Sequence, residues 1–181
     1  MSDLATATPL PWQMPIWQQF LTLQRNERLP HALLLSGPRG SGKQRFAEAI
    51  LARLLCTATG EIACGECHGC EMLAAGYHPD LLRVAPEEGK RQIRIDPIRE
   101  INAFIAQTAQ QGGHRVIVLA PAEAMNLAAA NALGLAGDAD GTAADTDLDK
   151  VGTAVCQEAE ALGVDDVTGT DLDVLAVVGA N

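Results

Sequence analysis

The sequence predicts an α/β fold, a parallel sheet flanked by helices and built around a phosphate-binding loop, with a four-cysteine module inserted. Three observations carry this. First, the apolar run Leu33-Leu34-Leu35 leads into Gly37-Pro38-Arg39-Gly40-Ser41-Gly42-Lys43, where a helical pattern opens. In a strand, glycine loop and helix in that order, successive backbone N–H groups turn in on an anion and the helix N-terminus adds its dipole. Second, Leu81–Val84 and Val116–Leu119 read as further apolar strands of the kind buried in parallel sheets. Third, Cys56, Cys64, Cys67 and Cys70 stand at metal-ligand spacing between the first helix of that unit and the next strand.

Taken in order, Pro11-Trp12 is a turn and a short helix runs on to Gln24. Trp12, Ile16, Phe20 and Leu23 recur at helical spacing, with Trp17 and Leu21 widening the apolar stripe. Such a stripe is explained by core packing. The strand Ala32–Leu35 follows, and after the loop the helix Lys43–Leu55 sets Phe46, Ala47, Ile50, Leu51 and Leu54 on one face. Beyond the cysteines, Glu71–Ala75 continues as a short helix to Gly76, and His78-Pro79-Asp80 is a turn before the second strand. Arg91–Ile95 alternates like an exposed strand. Asp96-Pro97 starts a helix, with Asp as N-cap and Pro at the first helical position, and Ile98, Ile101, Ile105 and Ala109 form its buried side. His114–Leu119 is the next buried strand. His78 and His114 are expected as turn residues rather than catalysts.

Charge and aromatic content divide the chain in two. Residues 1–133 hold 12 acidic and 12 basic residues and every aromatic one, whereas residues 134–181 hold 11 acidic residues and only Lys150 as a base. The net charge of −10 therefore belongs to the tail, and the first part lacks the basic excess of a nucleic-acid-binding face. No run approaches the roughly 18–20 apolar residues that span a bilayer. The N-terminus lacks a signal-peptide pattern. With four of the five cysteines in metal spacing, the cytoplasm is the expected compartment.

Cys56, Cys64, Cys67 and Cys70 follow C-x7-C-x2-C-x2-C, and each C-x2-C turn can present two thiolates to one ion. Four cysteines close a tetrahedral shell and leave no open position, so a structural zinc is expected. His68 is then surplus and solvent-facing.

The loop itself departs from the pattern of a hydrolase. G-x-x-x-x-G-K-[ST] is met at Gly37, Gly42 and Lys43 and fails at Gln44, where a hydroxyl would reach Mg²⁺. The strand Val116–Leu119 ends in Ala120-Pro121, where a phosphate-loop ATPase carries a metal-binding carboxylate. Glu123 falls further on, in the first turn of a following helix, a place explained by the helix dipole. Gly37, Gly40, Gly42, Lys43 and Gln44 are thus candidate nucleotide-binding positions. They permit weak binding of ATP or phosphate, while Mg²⁺-dependent hydrolysis is not expected and no catalytic residue is assigned.

Several of these features occur together in a recognisable order: Pro11-Trp12, Gly37–Lys43, the four cysteines, His78-Pro79-Asp80-Leu81, Ile95-Asp96-Pro97-Ile98-Arg99 and Ala128-Ala129-Ala130-Asn131-Ala132-Leu133. The set closely resembles the delta-prime family of bacterial DNA polymerase III clamp-loader subunits, over about residues 10–133. The resemblance implies an AAA+ domain that has lost hydrolysis and serves as the stator of a pentamer loading the sliding clamp onto primed DNA. It implies delta and gamma/tau subunits as partners, no membrane, and DNA replication as the process. The gamma/tau sister family carries Thr after the lysine and Asp-Glu after the strand, so Gln44 and Ala120-Pro121 point to delta-prime. An active ATPase of the gamma/tau type is the alternative.

After Leu133 the resemblance stops. The Ser-Arg-Cys motif with its arginine finger, the lid and the helical collar of the family have no counterpart in residues 134–181, which contain neither arginine nor aromatic residues. This is the pattern expected of a truncated or frame-shifted gene or a junction of unrelated sequences, and an inert fragment is a further alternative. Within the tail, of uncertain structure, Leu148, Val151, Val155, Ala159 and Leu162 can line a helix face, Val174–Val178 can form a strand that adds to the sheet, with a disordered tail as the alternative, and Cys156 reads as a small buried residue. Gly137–Asp149 reads as a solvated acidic linker, lacking the spacing of a calcium loop.

Overall fold

The structure is a computed structural model and describes residues 7–30, 32–87, 89–90, 93, 101, 104, 107–111, 113–124 and 170–178. A 3-10 turn over Pro11–Gln13 leads into α1, Met14–Arg25. Then come β1 (Ala32–Pro38), α2 (Lys43–Leu55), α3 (His68–Ala74), β2 (Leu81–Val84), β3 (Arg115–Leu119), a 3-10 turn at Ala122–Ala124 and β4 (Thr170–Val178). No helix among the described residues is long and apolar enough to cross a membrane.

The sheet has the order β1-β4-β3-β2. The expected parallel pairing holds for β2 and β3, in the register Leu81↔Val116 to Val84↔Leu119. β4 departs from it: it runs antiparallel to both neighbours, pairing Leu34 with Val174 on one side and Leu119 with Val174 on the other. The sheet is therefore mixed. Of the two alternatives for the tail, an added strand or disorder, residues 170–178 take the strand, which begins at Thr170 and lies inside the sheet. Because β1 and β3 both oppose β4, they run in the same direction. The slot between them has hydrogen-bonding groups on both sides, and β4 supplies the partners. β1 accordingly extends to Pro38, beyond the expected end at Leu35.

Side-chain alternation distributes the strands over two cores. Leu33, Leu35, Val116 and Val118 join Trp17, Phe20, Leu21, Phe46, Ile50, Leu51 and Leu73 on the face covered by α1, α2 and α3. Ile117, Leu119 and Val84, with Leu34 and Leu82, pack against Ile93, Ile101 and Phe104 on the other. Every residue of β3 is buried, as befits an inner strand covered on both faces.

In α1 the buried residues are Trp17, Phe20 and Leu21, whereas Trp12, expected in the stripe, is 55% exposed. Trp12 belongs to the 3-10 turn, whose winding of three residues per turn does not continue the 3.6-residue phase of the helix. Trp17 takes its place as the anchor, with ring centroids 5.1 Å from Phe20 and 6.0 Å from Phe46 of α2. Of the segment expected as an exposed strand, Arg91–Ile95, only Ile93 is among the described residues; it is buried, and its amide donates to the Ala124 carbonyl at 2.7 Å. The helix expected from Asp96, the Ala128–Leu133 motif, the acidic linker and the tail helix with Cys156 lie largely or wholly outside the described residues.

Candidate metal centre and phosphate loop

The metal centre begins where α2 ends. Cys56 is the C-cap of α2, in extended conformation, and turns the chain outward. Cys67 is the N-cap of α3, which places Cys70 in its first turn. α3 starts at His68, three residues before the expected start, so the last cysteine sits on a rigid element. The two helices approach closely: a Cβ at Gly69 would collide with the Leu55 carbonyl, so only glycine fits there. Arg25 and Gln18 of α1 hold the intervening loop through Glu61, at 2.8 and 3.4 Å.

The ligand atoms of Cys56, Cys64, Cys67 and Cys70 all lie within 4.8 Å of one another. Cys56 Sγ is 3.6 Å from Cys64 Sγ and 3.8 Å from Cys67 Sγ. These spacings are far from the roughly 2.05 Å of a disulfide. They match the edge of about 3.8 Å that a tetrahedron has when sulfur lies about 2.3 Å from a central ion. The Cys64 amide donates to Cys56 Sγ at 3.4 Å and the Cys67 amide to Cys64 Sγ at 3.3 Å. Backbone donors aimed at sulfur favour thiolates and are the outer support a metal ligand needs. For Cys67, burial works against ionisation, but hydrogen bonds from the Cys70 amide and Thr57 outweigh it and bring the thiol down to about 5. Cys70 is pushed up by burial and by the neighbouring Cys67 and Cys56. Such a set is made to share its charge with a cation, and the four cysteines could hold one metal ion. His68 faces solvent as expected: its side chain is 70% exposed and lies 3.8 Å from Glu71.

The glycine-rich loop expected to cradle a phosphate occupies the opposite end of α2. Gly37 lies in β1, Gly40 in the turn that follows, and Gly42 is the N-cap of α2. Gly42 is held at φ +85°, a left-handed conformation that demands glycine. Lys43 opens the helix, and its Nζ donates to the Gly37 carbonyl at 2.8 Å and the Pro38 carbonyl at 3.2 Å. Gln44 is exposed and donates to Glu48 Oε1 at 3.3 Å. The chain before α1 braces the loop from outside. Trp12 Nε1 reaches the Ser41 carbonyl at 3.2 Å, and Gln13 Nε2 reaches the Gly42 carbonyl at 3.1 Å. Gly37, Gly40, Gly42 and Lys43 thus share one loop, while Gln44 points away into solvent. β3, separated from β1 by β4, ends at Leu119 and is followed by Ala120 and Pro121, neither with a side-chain oxygen.

One polar centre was hidden from sequence reasoning. Asp80, expected only as a turn residue, is 1% exposed and accepts the amides of Gln110 and Gln111 at 2.8 and 2.9 Å. Arg115, 3% exposed, lies 3.6 Å from Asp80 Oδ1, donates to the Phe104 carbonyl and stacks 4.3 Å over the Phe104 ring. The one local signal was an acid just before an apolar strand. Its partners lie some thirty residues away.

A family model described as DNA polymerase III, delta subunit, matches residues 12–134. DNA polymerase III subunit delta' of Pseudomonas aeruginosa is 50% identical over 126 residues, which are 68% of this chain and 37% of that protein. The subunit of the same name from Escherichia coli K12 is 36% identical over 124 residues, again 68% of this chain and 37% of the relative. DNA polymerase III subunit gamma/tau of Mycobacterium bovis is 36% identical over 108 residues, covering 59% of this chain and 18% of that protein. The matched region spans little more than a third of the length of the delta' relatives.

Proposed function

We propose, since this chain belongs to the DNA polymerase III delta-prime family, that it serves DNA replication as a non-hydrolysing structural subunit of a clamp loader. Its partners on this reading are delta and gamma/tau subunits, and through them the sliding clamp and primed DNA, in the cytoplasm. Residues 1–133 supply an AAA+ domain with the cysteine module at 56–70, and residues 134–181 stand outside the family pattern. The end of the family match at residue 134 supports that division. The cysteine set takes zinc, because a closed four-thiolate shell of tetrahedral size is the donor set that ion favours.

The observation that carries the non-hydrolytic reading is the loop. Lys43 and the glycine turn keep a frame for a phosphate, held by Gly37, Gly40 and Gly42, but Gln44 is turned to solvent and paired with Glu48. Ala120-Pro121 offers no carboxylate where one would hold Mg²⁺. Two protein contributions to metal-assisted hydrolysis are therefore missing from the positions that supply them, while weak nucleotide or phosphate binding remains open to the loop amides.

The test is reconstitution with purified delta and gamma/tau subunits, followed by size-exclusion chromatography and an ATPase assay. Co-elution without ATP turnover by this chain alone is expected. Turnover by the isolated chain that Lys43→Ala abolishes would instead make it an active ATPase. Absence of co-elution would leave an inert fragment.

A further inference from the structure

The four cysteines are unequal in a way that a closed structural shell does not require. Cys56 and Cys70 are buried, and Cys67 is half-buried. Those three sit on helix ends: Cys56 is the C-cap of α2, Cys67 the N-cap of α3, and Cys70 lies within α3. Cys64 differs on both counts. It is exposed, and it lies on the segment between α2 and α3, which has neither helix nor strand. Gly65, at φ +77°, turns the chain directly after it. Its sulfur nevertheless lies 3.6 Å from Cys56 Sγ, closer than the 3.8 Å between Cys56 and Cys67.

A thiol that coordinates a metal ion is held as the thiolate, and the thiolate is the form that reacts with oxidants. Cysteines that sense oxidants are exposed and have a resolving thiol beside them. Cys64 meets the first condition, and Cys56 supplies the second. The oxidant needs to reach Cys64 alone, because the resolving step takes place between two sulfurs already in contact. Cytosolic disulfides, where they occur, are mostly transient and either catalytic or redox-sensing.

We propose, resting on the zinc reading above, that Cys64 is the site at which a hydroperoxide oxidises this module, with Cys56 as its resolving thiol, and that their bridge opens the metal shell. Cys64 Sγ attacks one oxygen of hydrogen peroxide. The S–O bond forms as the O–O bond breaks, hydroxide leaves, and Cys64 becomes a sulfenic acid. The Cys56 thiolate then attacks the Cys64 sulfur, forming the S–S bond as the S–O bond breaks and a second hydroxide leaves. Each sulfur gives up one electron and the peroxide takes both. The sulfurs close from 3.6 Å to the roughly 2.05 Å of a disulfide. Cys56 is fixed at the end of α2, so Cys64 and its segment move toward it. Cys67 and Cys70 are left as the only thiolates, too few for the four-ligand shell of a structural zinc. Exchange with a cellular dithiol restores both thiols, so the change is reversible.

The test treats the reduced full chain, its zinc content measured beforehand, with a small excess of hydrogen peroxide. Released zinc is read with a chromogenic chelator against a peroxide-free control, and peptide mass spectrometry maps the bridges. A parallel sample contains dimedone, which traps sulfenic acids. Loss of most of the zinc is expected, with about one ion released for each Cys56–Cys64 bridge, the content of one closed shell. Dimedone should be found on Cys64, and dithiothreitol with added zinc should restore the metal content. Three results overturn the proposal while leaving the zinc reading intact: zinc retained under peroxide, dimedone on another cysteine in place of Cys64, or a first bridge that joins Cys67, Cys70 or Cys156. A reduced, folded starting sample without zinc removes the zinc reading and this proposal with it.

Discussion

Asp80 shows how much of this fold rests on single side chains. Its carboxylate takes two backbone amides from the segment before β3 and faces the Arg115 guanidinium, while its own carbonyl accepts the Val116 amide at 2.9 Å. Asp80→Ala would strand a buried guanidinium and two half-buried amides, and removing one partner of a buried pair costs about 3–5 kcal/mol. Urea unfolding should register a loss of that order, with Asp80→Asn milder because it keeps an acceptor. An unchanged midpoint for Asp80→Ala would mean that water satisfies these groups. The histidines add a pH dependence of definite sign. His78 and His114 are held below their ordinary pKa by burial, so the folded state takes up fewer protons than the unfolded one. Their contribution is whole above the unfolded value of about 6.5 and is lost as pH falls below it toward the folded values. Urea midpoints should therefore drop between pH 7.5 and 5.5, and His114→Phe should shallow that drop. A midpoint that rises on acidification would contradict the assignment. None of this was legible residue by residue. His78-Pro79-Asp80 announces a turn, but the burial of Asp80 depends on Gln110, Gln111 and Arg115, which no local spacing connects to it.

At the scale of elements the sequence was more readable, because a phosphate loop and a cysteine module are written in short-range spacing. β1, Gly42 and α2 follow from glycines at fixed offsets and from the phase of Phe46, Ile50 and Leu54, all three of which are buried. The four thiols gather because Cys56 ends one helix and Cys67 and Cys70 begin the next. Where readings failed, the element boundary had moved. Trp12 turned outward because it precedes the helix that its spacing appeared to join, and α3 began at His68 because Cys67 serves as its N-cap. The module also carries an element-scale prediction. Residues 56–67 have little regular backbone structure, and only Cys56 and Ala63 among them are buried apolar residues, so on the proposed zinc reading an ion would supply much of their order. Near-stoichiometric zinc is expected in reduced, purified protein. Its removal by a chelator should raise amide exchange across residues 56–70 while β3, buried along its whole length, keeps its protection. Reduced, folded protein without zinc, or equal loosening of β3, would defeat the assignment of a local structural metal.

The whole molecule is joined by its least expected strand. β4 pairs with Ala32–Pro38 on one side and Arg115–Leu119 on the other, so residues 170–178 lie between β3 and the strand that leads into the glycine loop. Sequence patterning suggested a strand near Val174 but could not place it. Alternation and apolar content fix a strand's burial, whereas its neighbours and direction are set by which hydrogen-bonding edges the rest of the sheet leaves open. Here β1 and β3 run the same way with a strand's width between them, and β4 satisfies both ladders at once. This has a consequence for stability. An inner strand has neighbours on both sides for its backbone groups, so a proline there removes a ladder bond and fits poorly. Val174 stands opposite both Leu34 and Leu119, at the centre of the two ladders. Val174→Pro should cost about 3 kcal/mol or more and lower the protection of β1 and β3 amides together. It should also make the chain more prone to associate, because two apolar strands would then present open edges. If instead the variant melts at the wild-type temperature and β1 and β3 keep their exchange rates, residues 170–178 contribute nothing to the sheet, and the fold of residues 7–124 stands without them.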